Sequence, residues 1–283
     1  MQRRTHGMSW ILTGLLYVAG SVGMGVGTAA AQDAKPPAES AEAKAELARA
    51  AGLVEALKGV KGPERLDGMR RAAEAYAGVA TAFAGEPLVA VRAGFEAGEC
   101  WRRAGEFEAA ARAYGQVLSG APGRFEQRAA FERAGVLRRL ERFDEALADY
   151  RRAAKVEPDN VRAHEARVWV AKVLESQGEV DAAMAAFRAA VDAATGPRRT
   201  VEACDELAKA LVRRGDLAGA AAALERAATA AAPVIEAGGE DSARMRKILE
   251  ELGARRQLQR ARDRAQGTAR DAMDVEAVLG KQR

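Results

Sequence analysis

Few side chains in this sequence have the type and spacing needed for catalysis. The chain contains two histidines and two cysteines. His164 stands among charged residues at the start of a predicted helix with no nucleophile beside it, so we expect a solvated surface histidine rather than a catalytic base. The sequence contains neither a G-x-x-x-x-G-K-[ST] phosphate loop nor an H-E-x-x-H zinc motif. We therefore predict no catalytic site, no metal site and no cofactor.

A second group of residues has a spacing suited to binding. An arginine, a phenylalanine and an arginine pair recur at equal intervals, first at Arg92, Phe95, Arg102 and Arg103 and then at Arg128, Phe131, Arg138 and Arg139. Spacings of three, ten and eleven residues from the first arginine place each set on one side of a helix. Guanidinium groups bind carboxylates through paired hydrogen bonds, and the rings would add apolar contact. The alternative is that these arginines only solvate a helix face.

The elements that position these residues are predicted to be helices. The chain has 283 residues, of which 48% are apolar, 30% are charged and 5% are aromatic. Close to a quarter of the residues are alanine, the best helix former, whereas the residues that favour strands are scarce. This composition excludes a disordered chain and argues against an all-β fold or a tightly packed α/β enzyme.

Four segments of the chain repeat one another. They begin at intervals of 36, 37 and 37 residues, at Gly105, Glu141, Gly178 and Gly215. Each segment has an alanine five positions after its start and a large apolar residue after nine: Ala110 and Tyr114, Ala146 and Tyr150, Ala183 and Phe187, Ala220 and Leu224. Small residues let helix axes approach to about 8–10 Å. No unit can bury its apolar stripe alone, so the units must stack.

This pattern resembles the tetratricopeptide repeat family, whose unit of about 34 residues is a pair of antiparallel helices. The resemblance covers roughly residues 53–239. It is best in the second unit, which matches at Gly98, Trp101, Gly105, Ala110 and Tyr114. It implies an all-α fold, an α-solenoid of stacked antiparallel helix pairs, with about five units over residues 41–239.

In this family the first helices of successive units line a concave groove that holds a protein or peptide partner. The resemblance places both arginine and phenylalanine sets on this groove, and the fourth and fifth units add Lys172 and Lys209. We expect a groove that is basic at its N-terminal end and floored by Phe95 and Phe131, with an acidic or C-terminal peptide segment as ligand. The implied function is a non-catalytic scaffold. The alternative is an accessory subunit, or a membrane-anchored adaptor, of an envelope enzyme complex.

The N-terminal residues 1–31 have the pattern of a secretory signal peptide. Two arginines precede a glycine-rich apolar run, and the small-x-small end of a cleavage site follows at Ala29, Ala31 and Gln32. We expect cleavage after Ala31 and export to the periplasm or cell envelope, with an uncleaved membrane anchor as the alternative. Residues 32–40 are predicted to be a polar linker.

The C-terminal residues 240–283 are predicted to form a capping helix and a basic tail. Met245, Ile248 and Leu249 have helical spacing and would cover the last unit. The arginine-rich segment that follows is either a solvated helix or a peripheral contact with the envelope or a partner. The lack of interleaved aromatic residues argues against nucleic acid.

The two cysteines fall on the first helices of the second and fifth units. Three units separate Cys100 from Cys204, on the order of 30 Å at about 10 Å per packed layer. A disulfide needs Cα atoms within about 7 Å of each other. We therefore expect two free and buried thiols.

Overall fold

The computed structural model describes residues 39–120, 122–251 and 253, and all regular structure in these residues is helical. Ten of the α-helices form five successive pairs: α1 (Ala41–Glu55) and α2 (Gly62–Ala82), α3 (Pro87–Ala104) and α4 (Phe107–Ser119), α5 (Glu126–Arg139) and α6 (Phe143–Val156), α7 (Val161–Ser176) and α8 (Val180–Asp192), α9 (Pro197–Arg213) and α10 (Leu217–Ala237). A 3₁₀ turn at Gly123–Phe125 precedes α5, and residues 240–251 are again helical.

Neighbouring helices pack against each other along the chain. Each helix contacts the next one in sequence, and the first helices α5, α7 and α9 also contact one another in order. This is the predicted all-α solenoid of stacked helix pairs. Within the described residues, no helix is both long enough and apolar enough to cross a membrane.

The turn inside the last four pairs has one conformation. Its backbone takes a positive φ at the residue that starts each repeated segment: 82° at Gly105, 59° at Glu141, 80° at Gly178 and 81° at Gly215. The second helix begins two residues later in every case. Glycine adopts this conformation freely, whereas the side chain of Glu141 raises its cost by about 1–2 kcal/mol.

The repeated positions form the core of the solenoid. The repeat alanines Ala110, Ala146, Ala183 and Ala220 are at most 4% exposed. Three of the large residues are at most 1% exposed, namely Tyr114, Tyr150 and Phe187. Alanine lets the helices cross closely, and one large side chain per unit fills the space that remains. The structure thus confirms the packing predicted from the repeat.

Both cysteines and the C-terminal helix belong to this core. Cys100 and Cys204 are free thiols and are 1% and 0% exposed, as expected. Met245 is buried in the same apolar cluster as Cys204, and Ile248 and Leu249 pack against that cluster. The helical residues 240–251 therefore cover the apolar side of the last pair.

One buried ion pair interrupts the apolar core of the third unit. The Nη1 atom of Arg133 on α5 lies 3.3 Å from Oδ2 of Asp149 on α6, and Asp149 is 7% exposed. That carboxylate oxygen has no hydrogen-bond partner. Burial therefore raises the pKa of Asp149 from its ordinary 3.8 to about 6, against the attraction of Arg133 and Arg152.

Gly98 should be indispensable where α3 crosses α4. A Cβ atom added at Gly98 would lie 2.6 Å from Cε1 of the buried Tyr114 ring. We expect Gly98→Ala to lower the free energy of unfolding by about 1–3 kcal/mol in urea denaturation, because the ring must move. The matched control is Gly78→Ala on α2, where a Cβ meets nothing within 4 Å. It should raise stability by about 0.5–1 kcal/mol, and equal effects of the two substitutions would contradict this account.

Asp149 should make stability fall as pH rises. Its folded pKa of about 6 exceeds its ordinary value of 3.8, so the folded state holds the proton more tightly. The resulting stabilisation is complete below pH 4 and is lost as pH rises through 6. Asp149→Asn cannot titrate at this position. Its free energy of unfolding relative to wild type should therefore increase by about 2 kcal/mol between pH 4.5 and 7.5. A constant difference across that range would refute the shift.

Candidate functional site

The outward side chains of α3, α5, α7 and α9 form a surface that we call the first-helix face. Its charged and aromatic residues are Arg92, Glu96, Glu99, Arg102, Arg128, Phe131, Glu132, Arg138, Trp169, Lys172, Glu202, Asp205, Glu206 and Lys209. Because the four helices occupy the same place in successive units, side chains 30 to 34 residues apart in sequence are brought next to one another.

Glu99 organises the N-terminal part of this face. Its carboxylate is 7% exposed and accepts hydrogen bonds from the Tyr114 hydroxyl at 2.6 Å, from Arg102 at 2.9 Å and from Arg103 at 3.2 Å. Burial alone would raise the pKa of Glu99, but these hydrogen bonds and the two guanidinium charges hold it below its usual value. Both arginines of this pair are therefore already engaged within the protein.

Arg102 also connects α3 to α5. Its Nε atom lies 3.6 Å from the Glu132 carboxylate on the next first helix. Burial and the nearby charge of Glu99 raise the pKa of Glu132, while Arg102, Arg162 and Arg128 oppose that shift. No local spacing marks Glu132 in the sequence, because its partner lies in the preceding repeat.

Phe95 does not line the face as predicted. It is 0% exposed, and its ring lies 5.7 Å from Tyr114 and 5.3 Å from Phe125, measured between centroids. The guanidinium of Arg128 covers the ring at 4.5 Å. The expectation of an exposed Phe95 floor was wrong, because Phe125 of the 3₁₀ turn and Arg128 of α5 cover the ring.

Phe131 is half-buried and belongs to an aromatic cluster between the third and fourth units. Its ring meets Tyr150 edge-on at 5.5 Å, and Tyr150 stacks on Trp169 at 6.1 Å. The guanidinium of Arg138 lies 4.5 Å from the Trp169 ring, and that of Arg162 lies 5.6 Å from Phe131. Such contacts contribute about 0.5–2 kcal/mol each. Trp169 was not predicted for the groove, although it lies three residues before Lys172, which was.

Lys172 and Lys209 converge on a single carboxylate. Glu206 lies 2.7 Å from the Lys172 ammonium and 2.8 Å from that of Lys209, which also pairs with Asp205 at 2.7 Å. Burial by itself would raise the pKa of Glu206, but the two lysines lower it below its usual value. The spacing of Asp205 and Glu206 to Lys209, four and three residues, is a sequence signal that could have revealed this cluster.

The remaining predicted arginines occupy different places. Arg92 is exposed on α3. Arg139 lies over the ring of Phe107, the first residue of α4, at 5.2 Å. Arg139 therefore belongs to the contact between α4 and α5, which corrects its assignment to the groove. Ala29, Ala31 and Gln32 of the predicted cleavage site lie outside the described residues, as does the basic tail beyond residue 253.

His164 is buried, contrary to prediction. It is 3% exposed, and neither ring nitrogen makes a hydrogen bond of ordinary geometry. Burial lowers the pKa of His164, and the charge of Glu202 and the backbone of Arg199 only partly offset that effect. The ring is therefore neutral near pH 7.

The part of the chain that the structure describes contains no group of three or more acidic, histidine or cysteine side chains placed to hold a metal ion.

Comparison with known proteins identifies the repeat. Residues 127–196, which span most of α5 and all of α6, α7 and α8, match a family model described as tetratricopeptide repeat. Residues 127–196 therefore contain the tetratricopeptide repeat pattern. Such repeats are typical of non-catalytic scaffolds that bind protein or peptide partners. A search of curated protein sequences returned no match.

Two solved structures share the fold of these tetratricopeptide repeats. MamA from Desulfovibrio magneticus RS-1 is 16% identical, with a TM-score of 0.51 over 68% of this chain and 96% of that one. A protein of Podosopora anserina with nearly identical TPR-like repeats is 14% identical, with a TM-score of 0.50 over 68% of this chain and 96% of that one. At these identities the similarity concerns the fold alone.

Removing Glu99 should destabilise the second unit. Glu99→Ala leaves the buried Tyr114 hydroxyl and two guanidinium groups without their acceptor, so we expect a loss of about 2–4 kcal/mol in the free energy of unfolding. Glu96→Ala, three residues earlier on the same helix, is the control and should change stability by less than about 0.5 kcal/mol. Similar losses for both variants in urea denaturation would show that Glu99 does not organise this part of the face.

Proposed function

We propose that this protein is a non-catalytic scaffold of the periplasm or cell envelope that binds a segment of a partner protein on the first-helix face. The observation that carries the proposal is the continuity of that face. Ion pairs join α3 to α5 and α7 to α9, and the contact of Arg138 with Trp169 joins α5 to α7. Because these contacts already fix the side chains of the surface, an extended segment would bind there with little further loss of side-chain entropy.

The charges on this face differ between its two ends. Among the residues that define the face, four arginines accompany three carboxylates on α3 and α5, whereas two lysines accompany three carboxylates on α7 and α9. Arg92 and Arg128 are exposed at the N-terminal end, whereas Arg102 and Arg103 are bonded to Glu99. Acidic residues of the partner segment would therefore bind at Arg92 and Arg128. This charge asymmetry would fix the direction in which the segment lies.

Export is a separate part of the proposal. The arginines and apolar run of residues 1–31, followed by Ala29 and Ala31, support a signal peptide that is cleaved before Gln32. N-terminal sequencing of the protein purified from cells should read Gln32 first. Recovery of the intact chain from the membrane fraction would instead favour an anchored adaptor. The basic residues beyond 253 would then add a peripheral contact with the envelope.

Site-specific crosslinking in cells tests the binding surface. A photo-crosslinking residue at position 128 should capture a discrete partner, whereas one at position 112, exposed on the second helix α4, should not. Replacing Arg92 and Arg128 together by Glu should reduce the yield captured from position 131 at least tenfold, because the partner's carboxylates would be repelled.

The matched control replaces two exposed arginines of second helices, Arg112 on α4 and Arg151 on α6, by Glu. This control variant changes the net charge of the chain by the same amount and should leave the yield from position 131 unchanged. Capture at positions 112 and 128 alike, or a yield that survives Arg92→Glu and Arg128→Glu, would overturn the proposal.

A further inference from the structure

A cleft of about 520 Å³ lies between the second helices α6 and α8, and α7 contributes to its wall. Its apolar lining consists of alanines of α6 and α8 together with Val170 of α7. The charged residues that line it are Arg151, Lys155 and Arg167, and no acidic residue lines it. The cleft shares no residue with the first-helix face, so an inference about it does not rest on the proposed function.

One repeat position explains why this cleft is open. Eleven residues after the start of the repeated segment, α6 has Arg152 and α10 has Arg226. Each guanidinium donates to a carbonyl oxygen in the last turn of the preceding second helix, at 3.3 and 3.4 Å. The same position in α8 is Ala189, which lines the cleft, and in α4 it is Gln116, which lines a cleft of about 670 Å³ between α2 and α4. The arginine thus fills the space between neighbouring second helices, and a cleft remains where it is replaced.

The charges of this cleft are not neutralised within the described residues. Arg226 pairs with Asp192 of α8 at 2.9 Å, but the position of Asp192 is taken by Lys155 in α6. Among the residues that the structure describes, no carboxylate pairs with Arg151, Lys155 or Arg167, and the Arg167 guanidinium donates to a backbone carbonyl at 2.8 Å. Three cations beside an apolar surface favour an occupant that combines apolar side chains with negative charge.

The chain contains such a segment outside the described residues. Residues 271–280 have the sequence Asp-Ala-Met-Asp-Val-Glu-Ala-Val-Leu-Gly, with three acids, six apolar residues and no base. The preceding residues 254–270 contain six bases and one acid. Of these two segments, only residues 271–280 therefore have the charge and the apolar side chains that complement the cleft.

The length of chain beyond residue 253 is sufficient for this segment to reach the cleft. Residues 254–270 can span up to about 55 Å at about 3.3 Å per residue. The last described helix covers the fifth pair, and the cleft lies between the third and fourth pairs, on the order of 20 Å away at about 10 Å per packed layer. A tether of this kind gives an effective concentration in about the millimolar range, which favours the segment of the same chain over that of a second copy.

We propose that the cleft between α6 and α8 binds residues 271–280 of the same chain. The three carboxylates of this segment would pair with the three cations of the cleft, and its methionine, valine and leucine side chains would cover the exposed Ala189 and Ala193. Exposed ion pairs contribute little singly, so the tether and the apolar contact would supply most of the stability of the docked state. The segment would then lie on the second helices and leave the first-helix face open.

Photo-crosslinking within the full chain tests this assignment. Benzoylphenylalanine in place of the exposed Ala189 should crosslink to residues 271–280, as mapped by mass spectrometry of peptides from the monomer band. The matched control places benzoylphenylalanine at Gln116, which is exposed at the equivalent repeat position of a cleft without charged lining residues. This control should not crosslink to residues 271–280.

Charge reversal at the cleft provides a second measurement. Arg151→Glu combined with Lys155→Glu should reduce the yield of the crosslink from position 189 at least fivefold, because like charges would face each other. The control variant combines Arg112→Glu and Arg188→Glu, at exposed arginines of α4 and α8 that do not line the cleft, and should leave the yield unchanged. All four substitutions replace exposed side chains, so the fold should be retained.

The reciprocal exchange completes the test. Asp271→Lys, Asp274→Lys and Glu276→Lys together should abolish the crosslink in the otherwise unchanged chain. In the chain that carries Arg151→Glu and Lys155→Glu, the same three lysines should restore at least half of the original yield, because the two sets of charges again have opposite sign.

Four outcomes would overturn the inference. They are the absence of any crosslink from position 189 to residues 271–280, equal crosslinking from positions 116 and 189, a yield that survives Arg151→Glu and Lys155→Glu, and crosslinks found only in a dimer band. The last outcome would assign the cleft to a second copy of the chain instead.

Discussion

The close crossing of the two helices within each pair is the constraint on which the rest of this structure depends. At the crossing of α3 and α4, the backbone at Gly98 is so near the Tyr114 ring that no side chain fits between them. Buried alanines occupy the equivalent positions on the later first helices, at Ala134, Ala171 and Ala208. Because a pair this thin has no interior of its own, its stability comes from the neighbouring pairs, and all pairs must stack in one register.

That register produces the first-helix face. Stacking fixes the distance between consecutive first helices, so that a side chain on one helix reaches the corresponding position on the next. Arg102 meets Glu132 in this way, and Lys172 meets Glu206. The face therefore consists of charges that already satisfy one another. An incoming ligand must offer groups that the few unsatisfied positions prefer, which is a basis for selectivity rather than for strong binding.

Much of the architecture could be predicted from the sequence, because the repeat interval, the small residues and the turn residues are all local signals. The fate of single side chains was harder to predict. Phe95 and Phe131 occupy equivalent repeat positions, yet only Phe95 is fully buried, because Phe125 of the 3₁₀ turn before α5 packs against its ring. His164 was misjudged from its charged sequence neighbours, since adjacent residues of a helix point in different directions. The pairs that join the first helices of different units are separated by thirty residues or more and leave no pattern in any short window of the sequence.

The stack of Tyr150 on Trp169 joins a second helix of one unit to the first helix of the next. The chain has three tryptophans, and Trp10 would leave with the predicted signal peptide. Trp169 would then share the emission of the exported protein with Trp101 alone. Its indole lies beside Tyr150, Arg138 and Lys172, so its fluorescence depends on the spacing of the third and fourth units. The protein thus contains an intrinsic optical probe of that junction, and loosening of the solenoid there could be followed without any added label.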